Sequence, residues 1–181
     1  MTGLLHAAPP ARLADDGVVL RAMTEDDWVL EQALSRDPEV LRWTTHPPHL
    51  DEAAARQRML DVADRAHRRL GQRYAVRPVE GGVEGPAVGM AALTVERSPE
   101  PSVGYALLPA GRGRGLAVAA VRLMTDWLLS VGHPCVRLGM LPDNEASAAV
   151  AARAGYRDLG VQAAPRPDGS VGRVRWWERR A

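Results

Sequence analysis

Lysine is absent from this 181-residue chain: all 23 basic residues are arginine, set against 22 acidic ones. Without a lysine amine no Schiff base can form, and the GxxxxGK[ST] phosphate loop cannot be built. Cysteine is nearly absent as well. Cys135 stands alone, which removes intramolecular disulfides and cysteine zinc clusters and makes a reducing, cytoplasmic setting the expectation. A surplus of charge is also missing. The formal net charge of +1 lacks the basic excess of a nucleic-acid binder, so no direct nucleic-acid partner is expected. No apolar run approaches the roughly 20 residues of a membrane helix. The opening "MTGLLHAAPPARLADDG" has no basic n-region, so a soluble protein without a membrane partner is expected.

What is present suits one well-filled core: 46% of residues are hydrophobic and 25% charged. Residues 1–15 read as a flexible N-terminal segment and 16–181 as the single domain. Val18 to Met23 reads as a strand. "TEDDW" opens a helix with a capping box from Thr24 to Asp27, and "DPEVLRW" opens another with Asp37 as N-cap and Pro38 at the first helical position. A third helix is expected over 51–70, with Ala55, Met59, Val62, Ala63, Ala66 and Leu70 on one stripe. "QRYAVRPV", "PAVGMAALTVE" and "SVGYALLP" then read as three meandering strands. A strongly apolar helix follows, closing at Gly132. "PCVRLGML" is a strand, "NEASAAVAARAG" a helix, and "YRDLGVQAA" and "VGRVRWWERR" a last pair. Seven strands are thus expected, with a parallel crossover only between the fourth and fifth, hence a mixed, mostly antiparallel α/β (α+β) fold.

The turn "PAGRGRGLA" carries the strongest chemical signal. A strand running through glycines into a helix N-terminus presents free N–H groups, and these attract anions. Gly113 and Gly115 let the backbone approach a phosphate closely, and Arg112 or Arg114 can add charged donors. A dinucleotide GxGxxG reading fails, because its third position falls on Leu116 or Val118. Read locally, a plain helix entry with solvated arginines fits as well. About thirty residues downstream, "LPDNEASAAVAARAGY" places Asn144 at a helix N-cap with Ser147 three residues on.

Together, "VGYALLPAGRGRGLA" and "LPDNEASAAVAARAGY" resemble the GNAT acyltransferase superfamily, in particular its RimJ/RimL-like branch. The signature R-x-x-G-x-A is met by Arg112, Gly115 and Ala117. "VVLRAMTEDDW" and "DPEVLRW" match that family's first elements in order. The resemblance implies a single-domain GNAT fold whose sheet is splayed between strands four and five. It implies acetyl-CoA as donor, its diphosphate held on the amides of Gly113, Arg114, Gly115, Leu116, Ala117 and Val118, with no metal. Tyr105, Ala106 and Leu107 would sit at a bulge of the fourth strand and pair with the pantetheine through their main chain.

The implied reaction is direct attack of a primary amine on the thioester. Ser147 takes the place of a hydroxyl that donates to the leaving thiolate, and Asn144 braces the pantetheine or the local backbone; helix capping is the structural alternative for both. The usual tyrosine acid, seven residues after the asparagine, is Ala151 here. No carboxylate precedes Asp168, a turn residue, on the strand that can carry a base in this branch. Glu96, Glu100 and His46 are the alternatives. If none serves, the amine arrives partly deprotonated or loses its proton through water. Trp43, His46 and Trp176 are the acceptor-lining candidates, since Trp176 and Trp177 must face opposite ways. A protein N-terminus is the default acceptor by family analogy. An antibiotic or other small-molecule amine, and a non-catalytic coenzyme-A-binding module, are the rivals. Homodimerisation is left open.

Overall fold

The computed structural model describes residues 4–95, 100–165 and 171–181. The chain begins with two short strands, β1 (Arg12–Ala14) and β2 (Val18–Ala22). Thr24 then caps the next turn as its sequence demands: its N–H donates to Asp27 Oδ2 at 2.8 Å, closing a box that leads into α1 (Trp28–Leu34). Asp37 accepts from the Val40 N–H at 2.9 Å to open α2 (Pro38–Trp43). Asp51 does the same for α3 (Glu52–His67), which buries Ala55, Met59 and Val62 and leaves Ala63 exposed.

The meander follows as β3 (Gly71–Glu80), β4 (Val83–Glu84), β5 (Gly89–Thr94) and β6 (Ser102–Leu107). The apolar helix is α4 (Leu116–Ser130). After it come β7 (Cys135–Met140), α5 (Glu145–Arg153), β8 (Arg157–Pro165) and β9 (Val171–Arg180). One sheet forms in the order β1-β2-β3-β5-β6-β7-β9-β8, with β4 attached to β3. Among the described residues only β6 and β7 are parallel.

Among the described residues nine strands form in place of the seven read from the sequence, and each addition has a physical cause. Leu5 is buried and its N–H donates to the Arg69 carbonyl, while the Tyr74 hydroxyl donates to the Pro10 carbonyl. These ties draw in a segment expected to be loose and lay β1 on β2. The second addition comes from the "EGGVEG" connection, whose Gly81 and Gly82 take positive φ and fold Val83–Glu84 back onto β3.

Two cores flank the sheet. Tyr74, Val76, Ala91, Leu93 and Val103 pack under α4 and α5, while Ala75, Met90 and Ala106 pack with residues of α1 to α3. Trp177 joins the first core. Trp176 turns the other way and lies over Gly139, where a Cβ would come within 2.7 Å of its ring.

The strand junction at β6 positions everything that follows. Its edge toward β5 is paired from Ser102 to Leu107 without a break. Its edge toward β7 is paired once, Ser102 opposite Arg137, where the Arg137 N–H donates to the Pro101 carbonyl at 2.9 Å. Beyond that point the two strands part, as expected for strands four and five. The expected bulge in the fourth strand is absent: β6 keeps regular register with β5, and the gap arises because β7 is zipped along its length to β9 instead. The irregularity lies in β8, between Asp158 and Gly160.

Candidate active site

At the open end of the splay, β6 runs into the glycine turn. Pro109–Gly111 make one 3₁₀ turn, and Gly113 and Gly115 adopt φ of +73° and +77°. Side chains are strained in that region, and a Cβ at either position would meet nothing within 4 Å. These glycines therefore answer to backbone conformation and to open space, not to a crowded core. Gly115 is the N-cap of α4 and offers no side chain to bond. Among the described residues no group accepts from the N–H groups of Gly113 to Val118, whereas the Ala119 N–H already bonds the Gly115 carbonyl. A run of unsatisfied donors at the positive end of a 15-residue helix is suited to an anion.

The two arginines of the turn are engaged elsewhere. Arg112 Nε donates to the Leu107 carbonyl at 3.0 Å, and its Nη2 meets Asp37 Oδ1 at 2.5 Å. It is a strut from the turn to the cap of α2. Burial pushes the Asp37 carboxyl up, but the Val40 N–H and the Arg112 guanidinium outweigh burial and hold it below the ordinary carboxylate value. Arg114 donates to the Ala110 carbonyl at 3.2 Å and pairs with Glu80 of β3.

Across the splay, α5 presents its N-terminus. Asn144 is buried and accepts from the Ser147 N–H at 3.0 Å, so it caps the helix. Ser147 Oγ accepts from the Tyr105 hydroxyl at 3.1 Å, which joins β6 to α5 over the gap. Burial pushes the Tyr105 phenol up, and the Ser147 bond pulls it partly back. Ala106 and Leu107, the next residues of β6, are buried.

Among the described residues, none of the remaining candidates is hydrogen-bonded to this pair. Glu100 lies beside the closed end of the splay, 3.8 Å from Arg137. Five residues of extended chain put it on the order of 15 Å from Tyr105. Glu96 and Asp168 lie outside the described residues. His46 is tucked beneath α1, its side chain 4% exposed, with Nε2 3.3 Å from the Glu31 carbonyl and 3.6 Å from Glu31 Oε1. Trp43 donates from Nε1 to Glu39 of its own helix, and Trp176 sits on the far side of the gap over Gly139. No hydrogen bond or ring contact joins Trp43, His46 and Trp176.

Burial lowers the His46 pKa, with Arg58 adding to it and Glu31 opposing. The folded protein thus holds fewer protons at this site than the unfolded chain just below the ordinary histidine value. Stability should fall as pH drops through about 6.5. In urea titrations between pH 7 and pH 5, His46→Gln is expected to lose stability less steeply than the parent; an equal slope in both would remove His46 as the cause.

Sequence reasoning missed the Tyr105 hydroxyl, assigned there only through its main chain, and a hub at Glu31. Glu31 is fully buried, yet it meets Arg58 Nε at 2.5 Å and Arg73 at 3.0 Å. The signal was available: Glu31 lies between Trp28 and Leu34 on the helical stripe that faces α3.

A splayed β6–β7 junction, free amides at the following helix and a capped α5 opposite define a GNAT acyltransferase architecture. The family model for the acetyltransferase (GNAT) domain matches residues 18–157, and the chain belongs to that family. Solved structures of the same fold include RimL, a ribosomal L7/L12 α-N-protein acetyltransferase in complex with coenzyme A. It is 18% identical, with 93% of this chain and 97% of that one covered at a TM-score of 0.77. MccE, a microcin self-immunity acetyltransferase in complex with acetyl-CoA and AMP, is 14% identical over 96% and 98% of the two chains at 0.81. The ribosomal-protein-S5-alanine acetyltransferase from Vibrio fischeri is 19% identical over 94% and 97% at 0.75. No curated protein matches the chain. Among the described residues there is no helix long and apolar enough to cross a membrane and no metal-ligating cluster.

Proposed function

We propose that this chain transfers an acetyl group from acetyl-CoA to a primary amine by direct attack on the thioester. One observation carries the reading: the unsatisfied N–H groups of Gly113 to Val118 lie where the unpaired edge of β6 ends. A donor with a diphosphate at one end and a linear amide-bearing arm at the other fits that sequence of features. The diphosphate takes the helix amides, and the arm takes the main-chain groups of Tyr105 and the Leu107 N–H, which face the parted side, while those of Ala106 face β5. Arg112 holds the turn by way of Asp37, and Arg114 needs only to leave Glu80 to reach a phosphate. Ser147, at the mouth of α5, faces the thioester end and donates to the departing sulfur.

A peptide N-terminus is the preferred acceptor. The solved ribosomal-protein acetyltransferases of the same fold support this choice, and so does the charge near the splay. Polycationic amino sugars need several available carboxylates, yet Glu100 and Glu178 are both paired with Arg137. The acceptor nitrogen sheds its proton through water, because no described carboxylate reaches the Tyr105–Ser147 pair.

The test is a thiol-release screen of acetyl- and succinyl-CoA against peptides and amino sugars. Release with acetyl-CoA and peptide amines is expected. Release on amino sugars alone would move the acceptor class. Saturable coenzyme A binding with no release on any amine would leave a binding module, and no binding at all would remove the reading.

A further inference from the structure

Protonating a thiolate from a lone serine is unfavourable, because the alkoxide left behind is far more basic than the sulfur. A hydroxyl used in this way needs an immediate second proton. The structure supplies one: the Tyr105 phenol already donates to Ser147 Oγ at 3.1 Å, which leaves the serine's own proton free to point elsewhere. The chain has three tyrosines, and the other two are committed. Tyr74 donates to the Pro10 carbonyl in the core, and Tyr156 shares a 2.5 Å bond with Thr125 under α4. Ala151, where a tyrosine would have stood one turn deeper on α5, is buried and carries no proton.

We propose that Tyr105 is a positioning residue that acts through Ser147 as a two-hydroxyl proton relay to the leaving thiolate. The inference rests on the acyl-transfer reading above. As the carbon–sulfur bond breaks, its electron pair stays on sulfur, which takes the Ser147 proton. Ser147 takes the phenolic proton of Tyr105. The tyrosinate is refilled through solvent by the proton that the attacking nitrogen loses as the carbon–nitrogen bond forms, so one proton moves from nitrogen to sulfur overall.

The surroundings leave the pair in control of its own chemistry. On α5, Asn144 is turned to its own helix, and Glu145 lies 3.5 Å from Arg175 of β9. On the glycine turn, Arg112 is held by Leu107 and Asp37, and Arg114 by Ala110 and Glu80. Opposite Tyr105 on β5 stands Ala91, and the nearby α4 positions Leu116, Ala117 and Ala120 are apolar. Among the described residues, no charged side chain is bonded to either hydroxyl.

The test compares the parent chain with Tyr105→Phe, Ser147→Ala and the double variant, using an acceptor that supports turnover. Tyr105→Phe is expected to lower kcat roughly ten- to hundred-fold with the KM for acetyl-CoA within about two-fold. The double variant should be no worse than the poorer single one, as for groups that act as a unit. The fall of kcat at high pH should vanish in Tyr105→Phe. Replacing Tyr105 by a ring-fluorinated tyrosine, whose phenol is more acidic, should shift that fall to lower pH, and this keeps the test open if the phenylalanine variant folds poorly. A tyrosinate absorbance titration of the protein without donor should place the Tyr105 phenol higher in Ser147→Ala than in the parent. Unchanged kcat in Tyr105→Phe, multiplicative losses in the double variant, or a high-pH limb indifferent to fluorination would each overturn the relay while leaving acyl transfer intact. A parent chain that releases no thiol on any amine would overturn both.

Discussion

A Gly115→Val variant is expected to bind coenzyme A roughly a hundred-fold more weakly than the parent while still folding. Gly115 sits at φ +77° and ψ −4° as the N-cap of α4. A β-branched residue there carries about 1–2 kcal/mol of backbone strain, felt whether or not a ligand is present. The larger effect falls on binding. The space in front of this glycine is empty to 4 Å, so the new side chain would stand where an anion must lie against the amides of Gly113 to Val118. Losing two charge-assisted hydrogen bonds at about 1.5 kcal/mol each removes about 3 kcal/mol, or two orders of magnitude in Kd. Titration calorimetry with coenzyme A measures this directly. A Kd within about three-fold of the parent would mean that the amides hold no diphosphate.

Removing the Glu31 carboxylate should be the most damaging single change to stability outside the apolar core. Glu31 draws Arg58 of α3 and Arg73 of β3 onto one oxygen, with His46 3.6 Å away. Glu31→Ala leaves two guanidinium groups facing each other, each about a quarter exposed. Breaking a buried ion pair from one side costs about 3–5 kcal/mol, and the partial exposure of the arginines argues for the low end. About 3 kcal/mol corresponds to a fall in Tm of about 6–12 °C for a domain of this size. Adding Arg58→Ala should return part of the loss, because one stranded charge disappears with its partner. A Tm within about 2 °C of the parent in Glu31→Ala would show that the hub contributes nothing.

Gly115 and Glu31 differ in how far along the chain their causes lie. Gly115 announces itself locally: a glycine turn before an apolar helix leaves the first donors open, and the structure has them open and adds a positive φ. The Thr24 and Asp37 caps were legible for the same reason, since each depends on residues no more than three positions apart. Glu31 is different. Its partners lie 27 and 42 residues away, so only the helical stripe hinted that the carboxylate points inward.

For Arg112 the structure adds a partner that the motif does not announce. Its position in the signature pointed to a phosphate, and the guanidinium meets Asp37, 75 residues earlier. Tyr105 was placed on the correct strand and credited with only its main chain, because nothing in "SVGYALLP" tells which hydroxyl stands across the gap. The edge strands β1 and β4 escaped notice because two or three residues carry too little periodicity to register. The acceptor wall was the least legible part. Trp43, His46 and Trp176 were grouped by their place in the chain order, and each finds a separate neighbour.

The single pairing of Ser102 with Arg137 makes the sheet opening a wedge with a fixed apex. From Tyr105 only about 10 Å of β6 remains before the strands meet at that apex. On the acyl-transfer reading proposed above, main-chain pairing at that apex, not a side chain, would limit how deep the acyl end can go.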